Sequence, residues 1–170
     1  MRKLVGPENY CYTDNKLINK DFNGQMVNKR LVYIDEIKIV SAEQENKLKA
    51  LVNDHIEIEA KGVDAKMLRN YSSVYLSSNN LDAVKIPSDD RRFSIIELTD
   101  KKLISVMSKS EIDSLLDNKN IRKLAHYLFN YKVNSNSMMQ VFKSSRTELI
   151  RSASLNVWQE WFIEEYCPEA

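Results

Sequence analysis

Two carboxylates directly follow an apolar, β-rich segment of the sequence. Residues 31–34 read Leu-Val-Tyr-Ile, and Asp35 and Glu36 end the run. A carboxylate placed after a buried strand is held rigidly and can bind Mg²⁺, directly or through water. A second carboxylate beside it can orient and deprotonate an attacking water molecule. This pair is the first candidate for chemistry, although apolar runs that end in two acids are common.

Further polar groups accompany two other β-rich segments. Asn79 follows the segment 71–76 and could hydrogen-bond the same water or a phosphate. Arg91 and Arg92 precede the segment 93–98, and an arginine that reaches from an adjacent subunit can neutralise charge in a transition state. Because a parallel α/β sheet gathers strand ends at one edge, we expect these groups and the carboxylate pair to line one ligand site.

The segments that would position these groups alternate in type along the chain. Residues 1–30 are polar and irregular, and they predict loops with one short helix. The run 31–34 lacks polar alternation, which favours a strand buried on both faces of a parallel sheet. Segments 71–76 and 93–98 are also predicted strands.

A hairpin is predicted between the first and second of these segments. Residues 56–59 alternate between apolar and acidic, which is typical of a strand with one wet face. Lys61 and Gly62 would make the turn, and a second arm would run through 67–68.

Helical patterns occur in two places. Residues 41–53 predict a helix whose first turn is closed by a capping box between Ser41 and Gln44. The chain after Thr99 has helical periodicity, and its third helix is predicted over 145–166. We therefore place a domain boundary near Thr99, with an α/β part over 1–99 and a helical part over 100–170.

Composition excludes several classes of protein. The 170 residues carry a net charge of +1, which excludes a histone-like polycation and an acidic tail protein. The two cysteines predict free thiols in a reducing compartment, and there is no metal-like spacing of cysteine and histidine. No apolar run approaches the roughly 20 residues of a membrane helix, so we expect a soluble, cytoplasmic protein with no membrane partner.

Glycine is unusually scarce in this chain. The only three glycines are Gly6, Gly24 and Gly62, and no two of them are five positions apart. The phosphate-binding loop G-x-x-x-x-G-K-[ST] and the dinucleotide fingerprint G-x-G-x-x-G are therefore both excluded.

The carboxylate, asparagine and arginine segments, in this order, resemble a known family. Residues 22–98 are similar to the phage and plasmid primase-helicases, whose motor belongs to the superfamily 3 helicases of viruses and mobile elements. The matching motifs are the Walker B segment, the B-prime element, motif C and the arginine-finger segment, which correspond to Lys29–Glu36, Ile56–Lys66, Val74–Asn79 and Asp90–Phe93.

This resemblance implies a fold and an activity. The fold would be α/β, with part of a P-loop NTPase sheet of the AAA+-like kind followed by a C-terminal helical region. The family's sheet has the order 5-1-4-3-2, in which segments 31–34, 73–76 and 93–98 would be strands 3, 4 and 5. The activity would be ATP-dependent unwinding in phage-type DNA replication, in a homo-oligomeric ring or with a full-length helicase partner, in the cytoplasm of a bacterial host.

The resemblance also implies roles for individual residues. Asp35 would coordinate the Mg²⁺ of bound ATP, and Glu36 would be the catalytic base. Asn79 would be the polar sensor, and either Arg91 or Arg92 would act on a neighbouring subunit's ATP. The hairpin residues Lys61 and Lys66 would grip single-stranded DNA, although a lysine in a surface turn is the plainer interpretation of Lys61.

The missing phosphate-binding loop leaves three interpretations open. The chain could be the C-terminal portion of a longer motor, a short protein that binds and regulates or inhibits a full-length motor, or a re-paired fold without catalysis. In each case we expect no ATP hydrolysis by the chain alone, because the loop's N–H groups and lysine bind the phosphates. Strand 1 of the family's sheet leads into that loop, and its absence would leave a gap between strands 4 and 5.

Overall fold

A computed structural model describes residues 1–19, 23–86, 90, 92–96, 98–134, 136, 142, 144–153, 155 and 157–166. The strands in this part of the chain are β1 (Tyr10–Asp14), β2 (Leu31–Asp35), β3 (His55–Ala60), β4 (Val63–Arg69) and β5 (Ser73–Leu76). The α-helices are α1 (Arg2–Val5), α2 (Lys16–Asn19), α3 (Ala42–Ala50), α4 (Lys109–Leu115), α5 (Asn118–Asn130), α6 (Ser145–Ala153) and α7 (Val157–Tyr166).

A small parallel sheet forms the centre of the fold. Its strand order is β1-β2-β5, with β2 paired in parallel to both neighbours. Val32 and Ile34 of β2 are completely buried, as expected for a strand covered on both faces. The prediction of a buried strand over 31–34 is therefore confirmed, and the chain is a mixed α/β protein.

The hairpin and the first long helix are confirmed as well. β3 and β4 pair antiparallel around a turn at Lys61 and Gly62, and Gly62 has φ 77°. Ile56 and Ile58 of β3 are buried and join the main core. Before α3, the Ser41 hydroxyl accepts a hydrogen bond from the Gln44 N–H, and Gln44 Oε1 accepts one from the Ser41 N–H.

The interpretation of residues 1–30 as loops with one short helix is wrong over Tyr10–Asp14, which form β1. This strand is at the edge of the sheet and only Cys11 in it is buried, so its sequence carries little apolar patterning. β1 matters for function because it supplies a side chain to the candidate site.

The strand predicted over 93–98 is also wrong. Residues 93–96 and 98 form no strand, and in the described part of the chain nothing pairs with the outer edge of β5. Phe93 and Ile95 instead pack their side chains against the core. Their apolar pattern therefore reports packing rather than sheet pairing.

The single helix predicted over 145–166 is two helices, α6 and α7. Leu155 lies between them outside any helix, and its N–H bonds to the carbonyl of Ser152 in a tight turn. The Ser152 hydroxyl also bonds back to the carbonyl of Glu148, a contact that weakens and bends helices. The division of the chain into two domains at Thr99 stays a prediction.

Candidate active site

Side chains from three neighbouring strands meet around Asp35. Tyr12 and Tyr33 are paired in register on β1 and β2, and their rings stack with centroids 5.7 Å apart. The Tyr12 hydroxyl donates to Asp35 Oδ2 at 2.8 Å. The Tyr33 hydroxyl donates to Ser77 Oγ at 3.0 Å and lies 3.4 Å from Asp35 Oδ1. Ser77, directly after β5, donates its hydroxyl hydrogen bond to Oδ1. The carboxyl ends of the parallel strands therefore converge, as the sequence predicts.

These contacts change the acidity of Asp35. The hydroxyl hydrogen bonds from Ser77 and Tyr12 hold the pKa of its carboxyl below the ordinary value of 3.8. The same carboxylate raises the pKa of Tyr12, because it accepts the phenolic proton in a hydrogen bond. Asp35 is thus an ionised, oriented carboxylate at neutral pH.

Glu36 has an unusual backbone conformation. Its φ is 52°, in the left-handed region that residues other than glycine rarely adopt, and its N–H donates to Asp35 Oδ1 at 3.1 Å. The next residue, Ile37, is buried and anchors the turn. Glu36 itself is exposed, so its carboxylate faces solvent beside Asp35. Strain of this kind, about 1 kcal/mol or more, is concentrated at functional sites.

The structure does not bring all the predicted residues together. Asn79 lies in the exposed bend after β5, and in the described part of the chain it forms no hydrogen bond with Asp35 or Glu36. Ser77, two residues earlier, makes the contact instead. Arg91 lies outside the described residues.

Arg92 lies across a cleft from the end of β5. Its guanidinium pairs with Asp90 at 3.3 Å, and its N–H donates to the same carboxylate at 2.7 Å. Arg92 and Ser77 both line a cleft of about 510 Å³. The arginine therefore borders the site without touching Asp35.

The two predicted DNA-binding lysines lie on the β-hairpin. Lys61 is exposed in the turn between β3 and β4, where the resemblance implies it. Lys66 is exposed on β4 and pairs in register with Ile58. Neither lysine contacts the Asp35 cluster in the described structure.

The described residues do not make a complete Mg²⁺ site. Within them, no group of three His, Cys, Asp or Glu side chains is placed to hold a metal ion. Among the described residues, Asp35 Oδ2 accepts one hydrogen bond, from Tyr12, so this oxygen keeps a lone pair that could supply one ligand to a metal ion. A Mg²⁺ ion held by Asp35 would complete its coordination with water and phosphate oxygens, as Mg²⁺ usually does in nucleotide sites.

Tyr12, Tyr33 and Ser77 are the site residues that the sequence analysis missed. Tyr33 lies two positions before Asp35 on one strand, so both side chains share a face. That spacing was a usable signal. Tyr12 could be found only once β1 was known, because its partnership with Tyr33 depends on strand register.

Removing the two strongest hydroxyl donors is expected to raise the pKa of Asp35 toward 3.8. The double variant Tyr12→Phe/Ser77→Ala loses both bonds, and the ¹³C shift of the Asp35 carboxyl reports the titration. The lowered pKa of Asp35 stabilises the folded protein at pH values above the pKa that this carboxyl has in the unfolded chain. That contribution is lost as the pH falls through the folded pKa, so the wild-type advantage in unfolding free energy shrinks in acid.

A matched variant separates this effect from the loss of any two hydroxyls. Tyr75→Phe/Ser78→Ala removes the same atoms, from residues that do not contact Asp35 in the described structure. Equal Asp35 pKa values in the two double variants would show that the hydroxyl cluster does not set its acidity.

Comparisons with known proteins agree with this fold. The family described as "Family of unknown function (DUF5906)" matches residues 1–92, which is more than half of the chain, so this protein belongs to that family. A curated relative from Nitratiruptor phage NrS-1, described as a DNA primase-polymerase, is 24% identical over 167 residues. That match covers 86% of this chain and 23% of the relative, so the chain spans about a quarter of the relative's length.

Solved structures show the same fold. An apo structure of the NrS-1 C-terminal region superposes with a TM-score of 0.78 at 20% identity, covering 96% of this chain and 44% of that one. A second apo structure of the same region, in its A form, superposes with a TM-score of 0.75 at 20% identity. This match covers 95% of this chain and 43% of the chain in that structure. No described helix is long and apolar enough to cross a membrane.

Proposed function

We propose that the chain supplies the carboxylate side of a nucleotide-hydrolysing site in a phage-type replication protein. The phosphate-binding loop would come from another polypeptide segment. The observation that carries this proposal is the convergence of Tyr12, Asp35 and Ser77 from three adjacent parallel strands, with Glu36 strained and exposed beside them. Ligands bind at this edge in parallel α/β sheets. The NrS-1 relative, described as a DNA primase-polymerase, supports a role in replication.

Within this site the residues take separate roles. Asp35 fixes the backbone of Glu36 through its N–H, which aims the Glu36 carboxylate outward. Glu36 would orient a water molecule and accept its proton as the water attacks the terminal phosphate. Arg92, or Arg91, would neutralise the negative charge that develops in the transition state of ATP hydrolysis at a neighbouring subunit's site. Asn79, in the exposed bend after β5, would act as the polar sensor of the terminal phosphate.

The outer edge of β5 supports a site completed from elsewhere. On its inner side, β5 hydrogen-bonds to β2. The Ser73 N–H donates to the carbonyl of Arg30 at 2.9 Å, and the Ser77 N–H donates to the carbonyl of Ile34 at 3.1 Å. Alternate residues of a parallel strand bond to opposite sides, so the N–H groups of Val74 and Leu76 face the 510 Å³ cleft. Its lining is mainly apolar and includes Phe93. A further parallel strand would fill this cleft, as the resemblance implies for the strand that leads into the phosphate-binding loop.

The resemblance to superfamily 3 helicases extends the proposal to movement on DNA. ATP turnover with Mg²⁺ would then drive single-stranded DNA past Lys61 and Lys66, in a homo-oligomeric ring or with a full-length helicase partner. The exposure of both lysines on the hairpin is compatible with this role.

Binding of a fluorescent ATP analogue tests the proposal. The samples are the chain alone, a separate polypeptide that carries the phosphate-binding loop, and the two mixed or fused. With Mg²⁺ present, we expect the mixture to bind at least about ten-fold more tightly than either part alone, because the loop would bind the phosphates and Asp35 would bind the Mg²⁺ that accompanies them. Equal affinity of the mixture and of the loop-bearing polypeptide alone would refute the proposal.

A further inference from the structure

A cluster of two arginines and a tyrosine lies at the end of the sheet opposite to Asp35. Arg30 precedes β2 and Tyr71 precedes β5, whereas Arg69 ends β4. The guanidinium carbons of Arg30 and Arg69 are 4.9 Å and 5.4 Å from the centroid of the Tyr71 ring. Because β2 is five residues long, about 16 Å of strand separates this cluster from Asp35.

The positive charge of this cluster is not neutralised in the described structure. Neither Arg30 nor Arg69 forms an ion pair with any described carboxylate, and both side chains are exposed. The π face of Tyr71 attracts each guanidinium, but it does not cancel the repulsion between them. Because both guanidiniums lie against one ring, their positive fields add at this surface and favour the binding of an anion.

The loop that carries Tyr71 is built rigidly. The Asn70 side chain donates to the carbonyls of Leu51 and Asn53 at 2.7 Å and 3.0 Å, and it accepts from the N–H of Ser72 at 3.0 Å. Tyr71 is nevertheless 54% exposed. A groove of about 200 Å³ runs beside it. The ring is thus presented to solvent on a fixed support.

We propose that Arg30, Tyr71 and Arg69 form a contact site for single-stranded nucleic acid. The two guanidiniums would bind backbone phosphate, which they match through paired N–H donors. An unstacked base would pack on the exposed part of the Tyr71 ring. An aromatic ring at the centre of the cations favours a nucleic acid over an acidic peptide, since the peptide offers no base to stack.

This surface is separate from the lysines that the resemblance implicates. Side chains alternate along β4, so Arg69 lies on the opposite face of the strand from Lys66. The proposal also does not depend on the nucleotide site, because no part of that site lies at this end of the sheet. Binding can therefore be measured without nucleotide.

Fluorescence anisotropy with a labelled oligo(dT) of about 15 nucleotides tests the proposal on the full chain. The double variant Arg30→Gln/Arg69→Gln is expected to weaken binding at least about five-fold at low salt. It should also reduce the slope of log affinity against log salt by about 1.4, or about 0.7 for each lost phosphate contact. The control Lys38→Gln/Lys85→Gln removes the same charge from two exposed lysines elsewhere and should stay within about two-fold of wild type.

Tyr71 supplies an independent readout. Tyr71→Leu is expected to weaken oligo(dT) binding about three-fold or more and to leave duplex binding unchanged, whereas Tyr71→Phe keeps the ring and should bind like wild type. Circular dichroism confirms folding of each variant. The proposal is overturned if both double variants behave alike, if Tyr71→Leu equals wild type, or if polyglutamate competes as well as oligo(dT).

Discussion

Glutamine in place of Glu36 is expected to slow ATP hydrolysis by the completed site about 100-fold or more. A positioned general base contributes about 10² to 10⁴ in rate, and glutamine cannot accept the proton. The substitution keeps the shape of the side chain and the backbone at φ 52°. The loss would therefore be a loss of the carboxylate alone. The measurement is phosphate release by the chain together with the polypeptide that carries the phosphate-binding loop.

Two further variants make this result specific. Glu43→Gln removes an exposed carboxylate in the first turn of α3 and should leave the rate unchanged. Glu36→Gly should abolish hydrolysis while raising the free energy of unfolding by about 1 kcal/mol, because glycine has no steric penalty at positive φ. If Glu36→Gln retained more than about a tenth of the wild-type rate, Glu36 would not be the base.

Alanine in place of Ile34 is expected to lower the free energy of unfolding by about 3 kcal/mol. Ile34 is fully buried between both neighbours of β2, so truncation removes apolar burial and leaves a cavity. Ile34→Val removes one methylene and should cost about 1 kcal/mol. Urea unfolding at neutral pH measures both changes.

The control for Ile34 is an isoleucine outside the core. Ile96 is 71% exposed, so Ile96→Ala should change the free energy of unfolding by no more than about 0.5 kcal/mol. A similar cost at the two positions would mean that β2 is not the centre of the core. Since Asp35 is the next residue, Ile34→Ala should also loosen the hydroxyl cluster that holds its carboxylate.

Elements with strong local patterns could be predicted from the sequence. The unbroken apolar run of β2, the alternation in β3 and the capping box at Ser41 each identify one structure, and all three are observed. Asp35 and Glu36 could be located for the same reason, because they end the most apolar strand.

What could not be predicted depends on pairing between distant segments. The residues of β1 are mostly polar, and this strand exists because its backbone bonds to β2. Tyr12 was therefore missed, although it contacts Asp35. Phe93 and Ile95 have the pattern of a strand, yet they pack beside the outer edge of β5, which pairs with no strand among the described residues. Local pattern does not reveal whether a pairing partner is present.

The rate of ATP hydrolysis by the chain combined with a polypeptide that carries the phosphate-binding loop tests the central claim most directly. The account predicts turnover by the combination, no turnover by the 170-residue chain alone, and loss of turnover when Glu36→Gln is introduced into this chain. DNA-stimulated hydrolysis by the chain alone would contradict the account. So would a combination that hydrolyses no ATP, or one whose rate is unchanged by Glu36→Gln.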